Sequence, residues 1–427
     1  MDPAPAVPPP SPERSSPAVP RPPSGPSRLG WLDGLRGIAA LVVVFDHSSY
    51  SFLPELRREL MPEFNTSRYG IMVFFLVSGY IIPASLERRG DVRAFWIGRV
   101  FRIHPLCAAA VAAILLAGLA GFAEVRGGQS AAAVAVAHLT LFQELLGTHN
   151  LLNVLWTLSY EMAFYLLVVA LFTVRLHRRS TAITATLAVS AAVSVAVGVV
   201  LPASALSGVV GTGPLIAMAT IATVVAVCCA SAGPSALRVF GGVLGGVLAL
   251  TLVIFNGTVA PWEGLVILAV MFLGTAVHRA ENGQTTWWRA AGATAVVVVC
   301  AVGSAYWHGD DAHFTRRAWI TAFLLAVLTF GVGLAARRKR VPRLLVALGT
   351  ISYSIYLVHP VLLSVSDSAI GRWRQDVPLL EVGFYAVLLP LCVLTHRFVE
   401  APGQRYGRKV LRGLSGAQGS SPGRSPG

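Results

Sequence analysis

The chain has 427 residues, of which 55% are hydrophobic and only 13% are charged, and its mean hydropathy is +0.66. A soluble domain carries about twice that share of charged residues, so the composition excludes a soluble globular protein. The net charge of +14 would suggest a nucleic-acid partner in a soluble protein. Here the arginines cluster between apolar segments, which indicates membrane orientation and anionic headgroups, and no nucleic-acid partner is expected.

Long apolar runs follow one another from about residue 31 to residue 399. Each is continuous and about 18–22 residues long, which is typical of a transmembrane helix and not of a barrel strand. The sequence therefore predicts an all-α polytopic membrane protein, a bundle of about 10–12 transmembrane helices. The predicted spans are 31–52, 69–86, 104–122, 154–174, 181–201, 211–231, 237–256, 262–279, 289–307, 318–336, 344–366 and 379–399. The short apolar segment 131–147 is predicted to be a re-entrant or interfacial helix.

The chain divides into a membrane domain, residues 29–400, and two tails. Residues 1–28 are rich in proline and lack the pattern of a signal peptide, so they are predicted to be a disordered tail, as are the basic residues 401–427. Arginine-dense loops at 87–103, after 174 and at 337–343 fall on one side if the spans alternate. The positive-inside rule makes that side cytoplasmic, together with both termini.

The first span, within WLDGLRGIAALVVVFDHSSY, carries several ionisable residues. Arg36 and His47 are eleven residues apart, so their side chains share one helix face and lie about 16 Å apart along the axis. Asp46 points about 100° away from His47 and is a poor partner for orienting that imidazole. An ionisable group is costly in lipid, so these residues are expected to face a protein interior or a wet cavity.

Two further ionisable residues are estimated to lie near the depth of His47. At about 1.5 Å per residue, His359 in GTISYSIYLVHP and Glu161 in NVLWTLSYEMAFY both fall in the outer half of the membrane. We predict that Glu161 orients His47 or stabilises its imidazolium. The structural alternatives are a helix–helix hydrogen bond for His359 and an ion pair with an arginine for Glu161.

The sequence contains no P-loop, no HExxH, no GxSxG elbow and no metal-type Cys/His spacing. An imidazole that can be neutral near pH 7, without a nucleophile elbow, indicates general-base catalysis on a hydroxyl group. No metal site is predicted.

Six segments, in chain order, resemble the acyltransferase family 3 of integral-membrane O-acyltransferases. They are LDGLRGIAALVVVFDH, VFFLVSGYII, RVFRIHPL, WTLSYEMAFYLL, GTISYSIYLVHP and RFVEAPGQRY, and they run from about residue 31 to residue 407. The third corresponds to the family's Arg-x-x-Arg-Ile-x-Pro element and contains Arg99, Arg102 and Pro105. The family is usually described with about ten core spans.

The resemblance implies acyl transfer from acyl-CoA, as co-substrate and without another cofactor, to a hydroxyl of a sugar or other acceptor. By similarity His47 is the catalytic residue and Arg36 is its motif partner, while Arg99 and Arg102 hold the donor phosphates. Because Arg36 lies at the same inner membrane edge, all three arginines are predicted to bind acyl-CoA. The motifs also contain residues expected to form or support the acceptor site: Asp46, Trp156, Tyr160, Ser352, Tyr353 and His359.

FDH and SGYIIPASLERRGDVRAFW are most similar to the branch of the family that acylates macrolide antibiotics in secondary metabolism. Cell-envelope polysaccharide acetylation is the alternative within the family. A secondary transporter would suit the span count and the buried charges, although the polar residues do not repeat between the two halves. A lipid-linked scaffold without catalysis is a third class. The expected location is the inner (plasma) membrane, with the lipid bilayer, acyl-CoA and a hydroxyl-bearing small molecule or glycan as partners.

Overall fold

The computed structural model describes residues 30–124, 128–199, 201–311 and 314–419, and within these ranges it is helical and contains no strand. The predicted tail 1–28 lies outside the described residues. The first half contains α1 (Gly30–Phe52), α2 (Pro54–Leu60), α3 (Thr66–Arg89), α4 (Val92–Leu119), α5 (Ala131–Thr140), α6 (Trp156–Thr173), α7 (Ser180–Ala196) and α8 (Ala205–Val210). The second half contains α9 (Thr212–Ala230), α10 (Ser235–Phe255), α11 (Pro261–Glu281), α12 (Trp287–His308), α13 (Arg316–Ala335), α14 (Arg343–Thr350), α15 (Ser352–Ile370), α16 (Pro378–Thr395) and, after a π-helical turn at His396–Glu400, α17 (Ala401–Gly419).

The helices confirm an all-α polytopic membrane protein. Ten helices of the described ranges are long and apolar enough to cross a membrane, and the count is eleven when α14 and α15, which are bent by 65°, are taken together as one broken span. The 23 residues of α1 also lie in the bundle, and they include the ionisable Asp33, Arg36 and Asp46. The short α5 covers part of the segment expected to be re-entrant or interfacial.

The centre of the bundle is formed by α11, which is buried without interruption from Pro261 to Val277. It contacts α3, α6, α7, α10 and α12. The contact with α3 is made backbone to backbone, because a methyl group on Gly79 would lie 1.7 Å from the carbonyl oxygen of Met271. Small residues allow such close approach in membranes, where packing replaces the hydrophobic effect between helices.

A second close contact fixes the start of α1 against α14. A methyl group on Gly349 would lie 1.9 Å from the carbonyl oxygen of Asp33. The chain then bends by 65° and continues as α15. The backbone around Arg36 is therefore held rigidly beside the first turn of α15.

The bundle has one strongly basic face, termed here the basic face, at which α1 and α4 begin and α3, α6, α11 and α13 end. Ion pairs between helix ends identify it: Arg279 of α11 pairs with Glu87 of α3, and Arg337 after α13 pairs with Glu281. At the opposite face, Arg68 at the start of α3 pairs with Glu263 at the start of α11.

Two sequence predictions differ from the structure. The predicted basic loop 87–103 is reduced to Gly90 and Asp91, because Asp91 caps α4 by accepting hydrogen bonds from two backbone N–H groups. Arg99 and Arg102 therefore lie within a helix. The predicted tail from residue 401 begins as helix α17, whose Gly403 and Gly407 lie close against α4 and so let the two backbones approach.

Candidate functional site

A polar cavity lies between α1, α3, α4, α6 and α15. We term it the arginine cavity, and its polar lining includes Arg36, Arg99, Arg102, Glu161, Ser352 and Tyr353. The sequence placed the arginines near one end of the bundle and Glu161 nearer the other. The structure brings all six residues to a single cavity.

Arg99 is held in place by its neighbours in this cavity. Its Nη2 donates to Ser85 Oγ at 2.9 Å, and its guanidinium lies 5.3 Å from the ring centre of Tyr165. The hydroxyl of Tyr165 donates to Glu161 Oε1 at 2.5 Å. Tyr165 thus connects the carboxylate of α6 to an arginine of α4, and it was missed by sequence reasoning although it follows Glu161 by one helical turn.

Arg36 and Arg102 retain unused donors. The nearest carboxylate oxygen to Arg36 is Asp33 Oδ1, at 3.9 Å from Nη1, which is too long for a hydrogen bond. Arg102 makes no hydrogen bond or ion pair with any residue of the described ranges. A guanidinium has five N–H donors in a planar fork that matches a phosphate or a carboxylate. The cavity therefore offers cationic donors that no residue of the described ranges saturates.

The first turn of α15 also faces the arginine cavity. Ser352 and Tyr353 line the cavity and begin this helix directly after the 65° bend. A helix N-terminus carries a partial positive charge and unsatisfied N–H groups, so a broken span that begins inside the membrane favours an anion there. Tyr353 is fixed by donating its hydroxyl to the carbonyl of Ile103 at 2.8 Å.

His47 is hydrogen-bonded to His359, with 2.8 Å between Nδ1 of His47 and Nε2 of His359. The other nitrogen of His359, Nδ1, lies 2.9 Å from the carbonyl oxygen of Ile355. A carbonyl only accepts, so Nδ1 of His359 carries a proton, and a neutral His359 presents Nε2 as an acceptor. His47 then donates from Nδ1, and its Nε2 keeps a free lone pair. The two residues, termed the histidine pair, fix a single tautomer of His47.

Asp46 is anchored away from the histidine pair. Its Oδ1 accepts from the Thr66 hydroxyl at 2.7 Å and lies 3.4 Å from the Arg57 guanidinium. Its Oδ2 lies 4.0 Å from Nε2 of His47, beyond hydrogen-bond range. As the helical geometry indicated, Asp46 does not orient the imidazole, but it places a carboxylate near the nitrogen that would carry an added proton.

Glu161 contacts Tyr165 and lies among the arginines, and no hydrogen bond or ion pair joins it to His47 among the described residues. The partner of His47 is His359, which is fully buried, while the side chain of His47 is 23% exposed.

Tyr356 lies at the boundary between the arginine cavity and the histidine pair. It lines the cavity, and its ring centre is 6.2 Å from that of His359. The ring also packs edge-on against Phe74, and its hydroxyl is 2.7 Å from the Thr157 hydroxyl. Neither histidine lines the cavity. The boundary residues belong to two of the sequence motifs, but only the structure shows that they separate the two clusters.

Two of the residues predicted to form or support the acceptor site, Trp156 and Tyr160, lie outside both the arginine cavity and the histidine pair. Trp156 lies under the guanidinium of Arg68, at 4.9 Å, and packs against Tyr160. Tyr160 is fully buried against Gly257 and Gly264. The structure therefore places these two aromatic residues in the packing between α6 and the start of α11, away from the cavity.

The last sequence motif, RFVEAPGQRY, anchors helix α15 through Glu400. Glu400, which is buried, accepts from Ser354 of α15 at 2.9 Å and lies 3.0 Å from Nδ1 of His396. These contacts fasten the π-helical turn to the helix that carries Ser352, Tyr356 and His359.

A comparison with protein families identifies the family of this chain. The model of the acyltransferase family 3, described as an acyltransferase domain, matches residues 29–397. No curated protein and no solved structure matches the chain. The matched range contains both the arginine cavity and the histidine pair, and it covers most of the 427 residues. The chain belongs to the acyltransferase family 3 and is an acyl-transferring enzyme of the membrane.

Proposed function

We propose that the protein transfers an acyl group from acyl-CoA to a hydroxyl group of a macrolide or sugar acceptor, with His47 as general base. The observation that carries this proposal is the path of α1, which contributes Arg36 to the arginine cavity and His47 to the histidine pair. One rigid helix thus connects a site suited to phosphates with a base of defined tautomer.

The arginine cavity is proposed to hold the phosphates of the donor. Arg36 and Arg102 have unused donors, Arg99 is positioned by Ser85, and α15 begins at the cavity wall. Guanidinium binds phosphate oxygens in a bidentate manner. The pantetheine arm of acyl-CoA is about 15–20 Å long when extended, close to the axial separation of about 16 Å between Arg36 and His47. Phosphates at the arginines would therefore place the thioester near His47.

The chemistry is proposed to use Nε2 of His47. This nitrogen removes the proton of the acceptor hydroxyl as its oxygen attacks the thioester carbonyl. A C–O bond forms, the C–S bond breaks, and the proton passes from the imidazolium to the leaving thiolate of CoA. His359 holds the ring and its tautomer, while the carboxylate of Asp46, 4.0 Å away, stabilises the transient positive charge.

Reaction requires the two clusters to meet. Tyr356 and Phe74 close the arginine cavity on the side of the histidine pair. We propose that the pantetheine arm displaces the Tyr356 ring and reaches His47, while the acceptor approaches the exposed part of His47 from the opposite side.

The basic face is proposed to be cytoplasmic in the inner (plasma) membrane, because arginines accumulate there and acyl-CoA is made in the cytoplasm. Both ends of the described chain, at α1 and α17, would then be cytoplasmic. A reporter fused after Gly427 should report a cytoplasmic position, and an external signal would overturn this orientation.

The reaction is tested with the purified protein in nanodiscs, a radiolabelled acyl-CoA, and a panel of macrolide and polysaccharide acceptors. We expect label on one acceptor class and release of free CoA in equal amount. Labelling of polysaccharide alone would show that the acceptor is a polysaccharide and not a macrolide. Acceptor counterflow into proteoliposomes without labelling would instead identify a transporter.

A further inference from the structure

A second cavity opens at the basic face, where α3, α6 and α11 end. We term it the basic basin, and its charged lining consists of Arg88, Arg178, Arg279, Glu87, His177 and His278. It shares no lining residue with the arginine cavity. Three arginines face one carboxylate, so the basin is cationic even when both histidines are neutral.

Arg279 is the buried donor of this basin. Its side chain is 3% exposed, its Nη2 pairs with Glu87, and its Nη1 donates to Gln284 at 3.0 Å. Its Nε–H has no hydrogen-bond partner among the residues that the structure describes. A buried N–H without a partner costs about 1–3 kcal/mol, and such groups are rare unless a ligand or a water completes them.

Arg88 and Arg178 complete the basin from its rim. Both side chains are exposed, and neither forms a hydrogen bond or an ion pair with a residue of the described ranges. Arginines at helix C-termini also offset the negative end of the helix dipole, which would account for a basic rim. That effect does not account for the unpaired Nε–H of a guanidinium as buried as that of Arg279.

The walls of the basin are aromatic. Phe172 and His177 lie on one side, 5.2 Å apart between ring centres, and Tyr80 and His278 on the other, 4.8 Å apart. The side-chain amides of Asn282 and Gln284 complete the lining. Flat rings beside cations suit a phosphate attached to an organic group better than a small inorganic anion.

We propose that the basic basin binds the phosphate of a second ligand, separate from the arginine cavity, with Arg88 and Arg178 at its rim and the Nε–H of Arg279 as its buried donor. The phosphate has two sources at this face: a soluble nucleoside phosphate or an anionic lipid headgroup. A nucleotide source would rest on the proposed acyl-CoA donor, because acyl-CoA carries its phosphates on adenosine.

Binding to the purified protein in zwitterionic nanodiscs tests the proposal, with adenosine 3′,5′-bisphosphate as one probe and added phosphatidylglycerol as the other. The test variant is Arg88→Gln/Arg178→Gln, since both side chains are exposed and the fold should tolerate their loss. The matched control is Arg338→Gln/Arg340→Gln, which removes two exposed charges from the same face outside the basin. Arg102→Lys reports on the arginine cavity separately.

We expect the basin variant to bind one of the two probes about tenfold more weakly, as is typical when charged hydrogen bonds are removed, while the matched control binds like the parent. Loss for the nucleotide identifies a soluble ligand, and loss for phosphatidylglycerol identifies a lipid. Equal binding by the basin variant and the control overturns the basin site. If Arg102→Lys weakens nucleotide binding while the basin variant binds both probes like the parent, the basin site is overturned and the proposed donor cavity stands.

Discussion

The arginine cavity and the histidine pair each take one residue from α1, yet they differ in how their polar atoms are satisfied. In the cavity, Arg36 and Arg102 retain donors that no described residue accepts, whereas each ring nitrogen of His359 has a partner. Donors without partners are suited to bind a ligand. A row of hydrogen bonds in which every ring nitrogen of His359 has a partner is suited to hold one protonation state. With the roles proposed above, binding and chemistry are separable, so substitutions in the arginine cavity should change KM and substitutions in the histidine pair should change kcat.

His47→Ala is the substitution with the largest expected effect. Loss of a general base typically lowers the rate by about 10²–10⁴-fold, so kcat should fall in that range while the donor KM changes little. His149→Ala is a control, because His149 lies in the loop before α6 and its side chain forms no hydrogen bond among the described residues. A His47→Ala enzyme within about threefold of the parent, on the scale of that general-base effect, would remove His47 from the chemistry.

His359 is expected to have the next largest effect, as a positioning residue. His359→Leu removes the acceptor for Nδ1 of His47 and should lower kcat by about 10²-fold through misplacement of the ring. His359→Gln offers an amide oxygen in place of Nε2 and should recover part of that loss. The pH–rate profile is the informative measurement, since a freed His47 should titrate differently. Equal kcat and pH profiles in both variants and the parent would make His359 a packing residue only.

Arginine-to-lysine substitutions probe the cavity. Arg99→Lys and Arg102→Lys retain the positive charge that orients the helix but lose bidentate contact with phosphate. We expect normal insertion and a donor KM raised by about tenfold, with kcat nearly unchanged. Arg93→Lys, at an exposed position on the same helix, should match the parent. Unchanged donor affinity in both cavity variants would mean that these arginines only set the orientation of the helices in the membrane.

Glu161→Gln should change the kinetics least of these variants. It is the most informative one, because it tests whether Glu161 acts with the arginine cavity or with the histidine pair. The sequence predicts a turnover defect, whereas the contacts with Tyr165 and the arginines favour a change in the donor KM of a few-fold, since only one charge among several is altered. The measurement is the split between KM and kcat. A fall in kcat at constant KM would instead support the sequence prediction that Glu161 acts on His47.

Most helices were predicted closely from sequence because bilayer thickness sets the length of an apolar run. The exceptions are α4, which begins at Val92 and not at 104, and the predicted span 344–366, which is two helices bent by 65°. Depth along a helix was equally accessible, and it placed His47 and His359 at one level, where they are hydrogen-bonded. The same estimate put Glu161 near that level, but depth does not say which helices are neighbours or how each is rotated. The depth estimate therefore did not predict that Glu161 lines the arginine cavity. It also did not predict that Tyr356 separates the cavity from the histidine pair.

The end of the chain shows a second limit. The sequence predicts a disordered basic tail over residues 401–427, yet the described part, α17, packs on α4. The contact is made through Gly403, Gly407 and the ring of Tyr406, which lies 5.4 Å from that of Phe101. Glycine is unfavourable in isolated helices. Its value here depends on a neighbouring backbone that the local sequence does not reveal.

The Tyr356 boundary has a consequence for the membrane itself. A polar cavity on one side and a partly exposed imidazole on the other would together provide a water-filled path for protons across an energised bilayer. Tyr356 is held by the Thr157 hydroxyl and by the carbonyl of Val154, and its ring packs on Phe74. We expect this aromatic layer to separate the two polar regions while Tyr356 is in place, so that no continuous water path for protons crosses the bundle.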